Sequence, residues 1–579
     1  MCGIAGIILK GHSDKAYIEN VVDLLQRSIE HRGPDAVGMH IEEARGFVNR
    51  RLAIVGISGG NQPIYSPSKN QGIVYNGEVY NYLSLRDKLV KKGYSFHTNT
   101  DTEVVLNSFI ESGEDAFSTF EGMFGICVWD NEQDVTYIVR DGFGMKPMYV
   151  YEDSKQIIYS SELSALIKVP NLDLSLDEAG IKDYLTFRYV NAPLTIYKRI
   201  RRLYPGSYLK LQNGKVTEHI FKDITDMQSD SLIETFDEAK SLVHDTLLES
   251  LKKHLIGEVP IALLLSGGVD SSILAALLSE ADTKMTCFNI GFDSVNEFEY
   301  SSAVADMYGF ELNNVQLTSK DIFNSFEEII LALDEPIADP ACFPLHLLCK
   351  EIKKSATVVL SGEGADELFA GYPQYRNFRS PMSTPKKLTD FLNNSYYFLD
   401  AEALLKKNSV NGGWQRTIKY FGGQQSFSCM SNYDFKTWVP DNLMMKADKI
   451  AMRSSLEGRF PFLDYSMIEL VRRIPDEFML SEQGETKHVL KQAFYDRLPE
   501  KIINRPKMGF TVPVPELIKE FSSLYQQALI KLRKHEINDI VDIDLMESQL
   551  SSFLNGNEGL ALRNWTNFVL MTWLADRAG

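Results

Sequence analysis

Several common motifs are missing from this sequence of 579 residues. Its six cysteines contain no C-x-x-C pair, and its ten histidines show no H-E-x-x-H spacing. The sequence therefore predicts neither a disulfide-stabilised scaffold nor a cysteine-based zinc site. It also lacks a G-x-x-x-x-G-K-S/T loop, which argues against the P-loop class of nucleotide-binding proteins.

Long apolar runs and an excess of positive charge are also absent. No stretch approaches the roughly 18 apolar residues of a membrane span. The apolar run at 4–9 is too short for a signal-peptide core and follows no basic segment. Acidic residues outnumber basic ones, 78 to 60, for a net charge of −18, so nucleic acids and anionic membranes should repel the chain. We expect a cytoplasmic enzyme with reduced thiols that binds neither nucleic acids nor membranes.

The order of predicted elements indicates two domains. Up to about residue 215, short β-like runs alternate with a few helical stretches. The runs include 3–9, 135–139 and 156–160, and the helical stretches include 82–92. This pattern predicts an α+β or α/β/β/α arrangement of layered sheets with helices outside. An acidic, irregular stretch follows. Beyond it, apolar strands separated by helices predict a parallel α/β sheet covered on both faces, followed by a helical C-terminal part. The predicted bounds are 2–215 for the first domain, 216–236 for the linker and 237–579 for the second domain.

The second residue is the first candidate nucleophile. If Met1 is removed, Cys2 carries both a thiol and an α-amino group. The amine has an ordinary pKa of about 7.7–8.0, so part of it is unprotonated near neutral pH and can act as a base toward the thiol. The alternative is an idle thiol at the start of an apolar strand, since buried cysteines are usually inert.

Three further segments offer what a thiolate attacking an amide requires. An asparagine followed by a glycine, Asn76-Gly77, can supply donors to a developing oxyanion. Arg51 and Asp101 have the charges that the carboxylate and the ammonium of an amino-acid substrate require. Each also has an ordinary explanation, because Asn-Gly is a common turn and Asp101 is well placed to cap a helix.

A glycine-rich loop marks a second candidate site. The segment S-G-G-V-D-S-S at 266–272 follows a buried strand and opens a helix, an arrangement that binds phosphate through backbone N–H groups. A second strand ends in S-G-E-G-A-D-E at 361–367. Adjacent strand ends that supply glycines and acids fit a triphosphate with Mg²⁺, because carboxylates bind the hard cation. A glycine turn capped by serine is the structural alternative.

These motifs resemble those of one enzyme family. Four are similar to class II glutamine amidotransferase domains: C-G-I at 2–4, H-R-G-P-D at 31–35, N-G-E at 76–78 and R-D-G-F-G-M-K-P at 140–147. Four resemble the synthetase domain of glutamine-hydrolysing asparagine synthetases: those at 266–272 and 361–372, L-E-G-R-F-P-F-L-D at 456–464 and R-P-K-M-G-F at 505–510. They occur in the family's order over nearly the whole chain.

For the first domain, the resemblance implies an N-terminal nucleophile fold. Cys2 would attack glutamine, with Asn76 and Gly77 forming the oxyanion hole, and the ammonia released would cross an internal apolar tunnel. The residues implied in glutamine binding are Arg51, Asn76, Gly77, Glu78 and Asp101.

For the second domain, the resemblance implies a pyrophosphate-loop fold that uses ATP and Mg²⁺. Asp270 and Asp366 would bind the metal, Lys487 would stabilise charge during adenylation, and Glu363 would be the base for the attacking ammonia. Without the resemblance, Lys487 would be interpreted as a solvated helix lysine. The residues implied in ATP binding are Leu264, Ser266, Gly267, Gly268, Asp270, Ser271, Ser272, Ile290, Ser361 and Gly362.

The sequence departs from the family pattern at two positions. Gly56 stands where an acid is usual, and Gly142 where a second basic residue is common; both can change how loops pack around the glutamine site. The implied small-molecule substrates are L-glutamine, ATP and an acceptor carboxylate, and a homodimer is compatible with the pattern.

The acceptor is left open by these motifs. We expect L-aspartate, amidated to L-asparagine with release of AMP and pyrophosphate, and the alternative is another carboxylate of cell-wall, polysaccharide or secondary metabolism. An acceptor with its own ammonium needs an acid and a base, for which Glu367 with Lys446 or Lys449 are the candidates. A scaffold or ligand sensor without catalysis is the competing class of function.

Overall fold

A computed structural model describes residues 2–227, 231–293, 295–379, 401–406, 427–505 and 512–577. Three predicted features fall partly or wholly outside these ranges: the residues of the R-P-K-M-G-F motif after Arg505, the end of the acidic linker stretch near 228–230, and much of the helical part after 380. Within the described residues, no helix has both the length and the apolar composition needed to cross a bilayer.

The first part of the chain is built on two antiparallel sheets of six strands each. Their spatial orders are β10-β8-β9-β1-β3-β2 and β12-β11-β7-β6-β5-β4. The strands are β1 (Cys2–Leu9), β2 (Ala36–Ile41), β3 (Arg45–Arg51), β4 (Ile64–Tyr65), β5 (Gln71–Val79), β6 (Gly122–Asp130), β7 (Val135–Arg140), β8 (Tyr149–Glu152), β9 (Gln156–Ser160), β10 (Ile200–Arg202), β11 (Ser207–Gln212) and β12 (Lys215–Ile220).

Strand β1 is apolar throughout because both of its faces are covered. Ile4 points into the cluster between the two sheets, whereas Ala5 and Ile7 point into the cluster under the outer helices. Side chains alternate faces along a strand, so a strand with two covered faces has no polar positions.

Helices cover the outer faces of both sheets, as predicted. The first helix buries Ile18, Val21, Val22 and Leu25 on one stripe, which is the spacing of an amphipathic helix. The predicted α/β/β/α sandwich is therefore confirmed. The helices of this part are α1 (Lys15–Ser28), α2 (Tyr82–Lys91), α3 (Asp101–Ser112), α4 (Leu163–Leu166) and α5 (Glu178–Phe187).

The second part contains the predicted parallel sheet. Its order is β15-β14-β13-β16-β17, and every neighbouring pair is parallel. The strands are β13 (Ile261–Leu264), β14 (Cys287–Phe292), β15 (Leu312–Leu317), β16 (Val358–Leu360) and β17 (Glu457–Arg459). Carboxyl ends of parallel strands share one edge, so the loops after β13 and β16 lie side by side.

Helices surround this sheet and form the C-terminal part. They are α6 (Phe236–His254), α7 (Val269–Glu280), α8 (Phe298–Tyr308), α9 (Ser319–Asn324), α10 (Phe326–Ala332), α11 (Cys342–Ile352), α12 (Ala365–Leu368), α13 (Phe427–Lys436), α14 (Met444–Arg453), α15 (Tyr465–Val471), α16 (Asp476–Met479), α17 (His488–Ala493), α18 (Glu500–Ile503), α19 (Val514–Leu532), α20 (Ile537–Ile540), α21 (Ile543–Leu554) and α22 (Ala561–Arg577).

The segment predicted as a linker is partly ordered. Strand β12 extends the second sheet to Ile220 by pairing with β11. Ile224 and Ile233 are buried, and the N–H of Ile233 donates to the carbonyl of Arg473 in the second part. The predicted linker at 216–236 therefore includes the end of a strand and contacts with the second part. The domain bounds stay a prediction.

Candidate active sites

The first candidate site surrounds the start of β1. The antiparallel register places Cys2 opposite Arg51 of β3. The backbone N–H of Cys2 donates to Oδ1 of Asn76 on β5, over 2.9 Å. Cys2 is 5% exposed and Asn76 is fully buried. The two sheets thus bring the candidate nucleophile and the candidate oxyanion donor into direct contact.

Asn76 and Gly77 each have a feature that suits the predicted oxyanion hole. Nδ2 of Asn76 is buried, and within the described part of the chain it has no hydrogen-bond partner. A buried amide without a partner is costly, so a ligand oxygen at this point would be stabilised. Gly77 has φ +154°, and a Cβ there would lie 2.0 Å from the carbonyl oxygen of Met123. Only glycine allows this close approach.

Arg51 holds a loop in addition to facing Cys2. Its guanidinium donates to the carbonyls of Val55, Gly56 and Ile57 and to Oδ1 of Asn61, over 2.7–3.3 Å. The departure at Gly56 has a structural reason. This residue has φ +58°, and its N–H donates to Oε1 of Glu258 over 2.6 Å. The second part of the chain therefore places an acid against this loop.

Several buried ionisable groups lie near the first candidate site. Asp101, at the start of α3, accepts from the hydroxyl of Tyr75 at 2.7 Å and from the N–H of Val79 at 3.1 Å. Burial raises the pKa of Glu78 well above its usual value, and the charges of Glu457 and Asp101 raise it further. Arg459 opposes this shift from 3.6 Å. An α-ammonium would be stabilised among these carboxyl groups.

Glu457 and Arg459 are functional candidates to which the motifs alone assign no role. Both lie on β17 of the second part and are fully buried, yet Arg459 reaches Glu78 in the first part. Its Nε donates to Glu457 over 2.6 Å. The signal in the sequence was the unusual pair of opposite charges, two residues apart, on a buried strand.

The departure at Gly142 also has a structural reason. Asp141 accepts from the N–H groups of Phe143, Met145 and Lys146, which folds the loop around its carboxylate. A Cβ at residue 142 would lie 2.4 Å from the hydroxyl oxygen of Tyr465. A basic side chain at 142 would therefore displace this tyrosine from the interface between the two parts.

The second candidate site lies at the edge of the parallel sheet. After β13 the loop turns at Gly267, which has φ +74°, and α7 begins at Val269. Oγ of Ser266 lies 3.1 Å from Oγ of Ser271 and accepts from the N–H of Gly268 at 3.2 Å. Oγ of Ser272 is buried without a partner among the described residues. Hydroxyl and N–H groups at the start of a helix favour an anion such as phosphate.

Lys487 joins the two predicted metal ligands. Its Nζ lies 2.5 Å from Oδ1 of Asp270 and 2.7 Å from Oδ1 of Asp366. Lys487 itself has φ +57°, an uncommon backbone conformation for this residue type. The interpretation of this residue as a solvated lysine is wrong, because it is 4% exposed.

The two carboxylates fit a magnesium ion that is carried by nucleotide phosphates. Asp270 and Asp366 share one ammonium, so their oxygens lie close together. Within the described ranges, no group of three or more metal-binding side chains forms a protein-only cage. Mg²⁺ usually takes one or two carboxylates and completes its shell with phosphates and water.

The remaining candidates also lie at this edge. Leu264 ends β13, Ile290 lies on the neighbouring strand β14, and Ser361 follows β16. A Cβ at Gly362 would lie 2.9 Å from Cβ of Asp270, so the two strand-end loops are in contact, as the sequence predicts. The roles of individual residues in both sites stay predictions.

A buried ionic network connects the two parts between these sites. Arg32 donates to the carbonyl of Cys2, to Glu162 and to Asp448 on α14, over 3.2, 2.5 and 2.7 Å. Asp448 also accepts from Nζ of Lys146, at 3.1 Å. Lys449 lies 2.7 Å from Asp334 and 3.2 Å from Glu162. The sequence does not predict this network, because its members come from distant segments.

Two family models cover most of the chain. The model for the glutamine amidotransferase domain matches residues 1–222, and the model for asparagine synthase matches residues 242–575. The fold and the paired sites therefore define a ligase with a glutamine amidotransferase domain, an enzyme of glutamine-dependent amidation. The chain belongs to the asparagine synthase family.

Named relatives extend over nearly the full length. Asparagine synthetase (glutamine-hydrolyzing) 1 of Bacillus subtilis (strain 168) is 31% identical, covering 99% of this chain and 96% of its own. Asparagine synthetase (glutamine-hydrolyzing) 3 of the same organism is 28% identical, covering 96% and 94%. Asparagine synthetase B (glutamine-hydrolyzing) of Escherichia coli (strain K12) is 25% identical, covering 88% and 82%.

Proposed function

We propose that this enzyme converts L-aspartate to L-asparagine, using glutamine as the nitrogen donor and ATP as the activating substrate. The acceptor would be activated as an acyl-adenylate, with release of pyrophosphate and then AMP. The observation that carries the proposal is the contact between Lys487, Asp270 and Asp366 beside the glycine-rich loop. This arrangement supplies both positive charge and metal-binding oxygens at one phosphate site.

At the first site, Cys2 would hydrolyse glutamine after removal of Met1. The thiol attacks the side-chain amide carbon, and the α-amino group of the same residue takes the thiol proton. The oxyanion that forms accepts from Nδ2 of Asn76 and from the N–H of Gly77. The protonated α-amino group returns its proton to the leaving nitrogen, so that the C–N bond breaks and ammonia leaves with formation of a thioester. Water then hydrolyses the thioester to glutamate and releases the Cys2 thiol.

At the second site, a carboxylate oxygen of the acceptor would attack the α-phosphorus of ATP, and pyrophosphate would leave. The loop at 266–272 holds the leaving phosphates, and Lys487 stabilises the charge that develops on them. Asp270 and Asp366 would hold Mg²⁺, which when bound neutralises phosphate charge. Ammonia then attacks the acyl carbon, Glu363 takes a proton, and AMP leaves.

Apolar side chains pack between the two sites, which supports transfer of neutral ammonia through this region. One continuous apolar cluster includes Met123, which contacts Gly77, and Leu360, which precedes Ser361. It therefore extends from the edge of one site to the edge of the other. An apolar route disfavours ammonium, because a charge loses its hydration there.

A product assay tests the proposal. The full-length enzyme is given glutamine, Mg²⁺-ATP and a panel of carboxylates, and pyrophosphate, AMP and ADP are measured. Turnover with aspartate and equal amounts of AMP and pyrophosphate support the proposal. Stoichiometric ADP contradicts the acyl-adenylate, and activity only with a larger acid favours the alternative acceptor.

Two variants separate the sites. Cys2→Ala should abolish glutamine-dependent synthesis and leave ammonia-dependent synthesis largely intact. Asp270→Asn should impair the use of Mg²⁺-ATP and leave glutaminase activity intact. Intact-mass analysis checks the first step, because Met1 retained on an enzyme that still hydrolyses glutamine would rule out Cys2 as an N-terminal nucleophile.

A further inference from the structure

Another ion pair, between Lys446 and Asp339, lies close to Glu363 of the second candidate site. Nζ of Lys446 on α14 lies 3.0 Å from Oδ2 of Asp339, and the two side chains are 9% and 17% exposed. Asp339 also accepts from the N–H of Ala341 at 3.0 Å, which fixes it at the start of α11. The pair is therefore held by the backbone of one element and by the side chain of another.

This pair lies near Glu363 and Arg188. The charge of Glu363 contributes to raising the pKa of Lys446, whose main favourable partner is Asp339. Arg188 and Lys446 together hold the pKa of Asp339 below its usual value. The carbonyl of Arg188 accepts from the N–H of Ala338 at 2.8 Å, which ties the end of α5 to this loop.

The other two candidates for binding the acceptor are engaged elsewhere. Lys449, almost one turn further along α14, binds Asp334, Glu162 and the carbonyl of Ser161. Glu367 accepts from the hydroxyl of Tyr372 at 2.7 Å and from Nε1 of Trp438 at 3.1 Å. The predicted pairing of Glu367 with a lysine is therefore replaced by the pair Asp339–Lys446.

We propose that Lys446 and Asp339 recognise the α-amino-acid end of the acceptor, Lys446 binding its α-carboxylate and Asp339 its α-ammonium. This inference rests on the proposed function of the second site. A buried charge must be paired when the substrate is absent, and an ion pair meets that need. The pair is neutral overall, so a neutral zwitterionic group can enter without leaving a net buried charge.

The chemistry predicts discrimination between related acceptors. Aspartate offers both charges of the α-amino-acid end, β-alanine lacks the α-carboxylate, and succinate lacks the ammonium. All three keep a carboxylate that can be adenylated. Each charged group on the protein should therefore discriminate against only the acceptor that lacks its partner.

Ammonia-dependent pyrophosphate release, measured as kcat/KM for each acceptor, tests the inference. For Lys446→Met we expect the preference for aspartate over β-alanine to fall roughly 10- to 100-fold, the usual effect of losing a charge-assisted hydrogen bond. For Asp339→Asn we expect the preference for aspartate over succinate to fall by a similar factor. Lys446→Arg, which keeps the charge, should restore most of the first preference.

Lys449→Met is the matched control, because it removes a buried lysine from the same helix that pairs with Asp334 and Glu162 and not with Asp339. It should leave both preferences unchanged even if total activity falls. Glutaminase activity and the circular dichroism spectrum show whether each variant is folded. Equal losses with all three acceptors, or an unchanged preference in both variants, would overturn the inference while the proposed function stands.

Pyrophosphate release by the wild-type enzyme distinguishes failure of this inference from failure of the proposed function. Pyrophosphate release with carboxylates that lack an α-amino-acid end, and none with aspartate, would overturn the inference and the choice of aspartate but leave ATP-dependent amidation. No release with any carboxylate would overturn the proposed function, and the inference with it.

Discussion

At the scale of single residues, Asn76 has two different tasks at its two side-chain ends. Its oxygen accepts from the N–H of Cys2, the candidate nucleophile, while its nitrogen is buried without a partner in the described structure. The cost of that unpaired donor is relieved only when an oxygen occupies the site. Such an arrangement favours the transition state over the free enzyme.

Replacing Asn76 should therefore act on chemistry at the first site alone. We expect Asn76→Ala to slow glutamine turnover roughly 10²–10³-fold, the usual effect of losing an oxyanion donor. Ammonia-dependent synthesis should be unchanged, because the second site is separate. Steady-state assays with each nitrogen source measure both values.

Asn49→Ala is the control for this variant. Asn49 is equally buried on β3, but its Nδ2 donates to the carbonyl of Tyr75 over 3.0 Å. Its loss should lower stability and leave most glutamine turnover. If Asn49→Ala slows turnover as much as Asn76→Ala, the oxyanion role of Asn76 is contradicted.

His254 provides a pH-dependent contribution to stability. It is fully buried, and its ring centroid lies 4.2 Å from that of Tyr80. Its Nδ1 forms a hydrogen bond with the carbonyl of Ser250. Burial lowers its pKa to about 4, although the charge of Asp464 opposes this shift. Between about pH 4 and 6.5 the unfolded chain binds a proton at this residue that the folded chain does not.

Because the unfolded chain binds more protons in this range, the free energy of unfolding falls as the pH falls. The contribution is fully present above about pH 6.5 and is lost as the pH falls toward 4, by about 3 kcal/mol at most. We expect His254→Asn to lose less stability than the wild type between pH 7.5 and 4.5, measured by urea denaturation. Parallel losses in both proteins would show that His254 does not cause the acid sensitivity.

At the scale of elements, the loop between β13 and α7 depends on one glycine. Gly267 has φ +74°, and a Cβ there would lie 2.5 Å from the backbone nitrogen of Ser301 on α8. The turn therefore requires both a left-handed backbone and close contact with a second helix. Neither condition is compatible with a larger residue.

Gly267→Ala should impair ATP use more than folding strain alone explains. We expect pyrophosphate formation to fall roughly 100-fold, because a displacement of about 1 Å in a reacting group can have that effect. Gly309→Ala is the control, since Gly309 has φ +68° and a Cβ at this position would have no neighbouring atom within 4 Å. It should lose only about 1–2 kcal/mol of stability and keep activity. Equal activity in the two variants would contradict a role for the contact with α8.

The long apolar elements were the most predictable ones. The predicted strands at 3–9, 135–139 and 156–160 correspond to β1, β7 and β9, and the predicted helix at 82–92 corresponds to α2. Strands β2 and β3 were not predicted. The segment A-V-G-M-H-I alternates apolar residues over only six positions, and R-G-F-V-N-R-R has only two apolar side chains, Phe47 and Val48. Both segments form strands because β3 pairs with β1 and β2 pairs with β3.

At the scale of the whole molecule, the interface between the two parts contains the network around Asp448. Its carboxylate accepts from Arg32 and Lys146 of the first part, and Arg32 donates to the carbonyl of Cys2. The neighbouring residue Lys446 belongs to the acceptor site proposed above. Helix α14 is therefore linked to Cys2 through Arg32 and also contains a residue of the proposed acceptor site.

Asp448→Asn should weaken this connection. Removing one charge leaves Arg32 and Lys146 partly unpaired, which should lower stability by about 3 kcal/mol. We also expect less amide product per glutamine hydrolysed, while ammonia-dependent synthesis changes less. Both yields are measured in one coupled assay.

Asp544→Asn is the matched control for the same substitution. Asp544 pairs with Arg533 on the surface at 2.6 Å, and such exposed pairs contribute little. It should change neither stability nor product yield. An unchanged yield per glutamine in Asp544→Asn and Asp448→Asn alike would contradict a coupling role for the network.

The sequence by itself determined which chemical groups are available at the two candidate sites. Cys2, the S-G-G-V-D-S-S loop and the S-G-E-G-A-D-E segment are local patterns, and each places its groups on one turn or strand end. Local geometry follows from short-range sterics and hydrogen bonds, which a short stretch of sequence contains. This is why the two candidate sites could be predicted.

Only the tertiary structure decided which charges pair across the molecule. The sequence offered several lysines and acids as equivalents, but Lys446 meets Asp339, Lys449 meets Asp334, and Lys487 meets both Asp270 and Asp366. Tyr465 against Gly142 and Glu258 against Gly56 are likewise contacts between distant segments. Partners of this kind follow from how elements pack, because a side chain's charge sets what it can bind but its position sets which group it reaches.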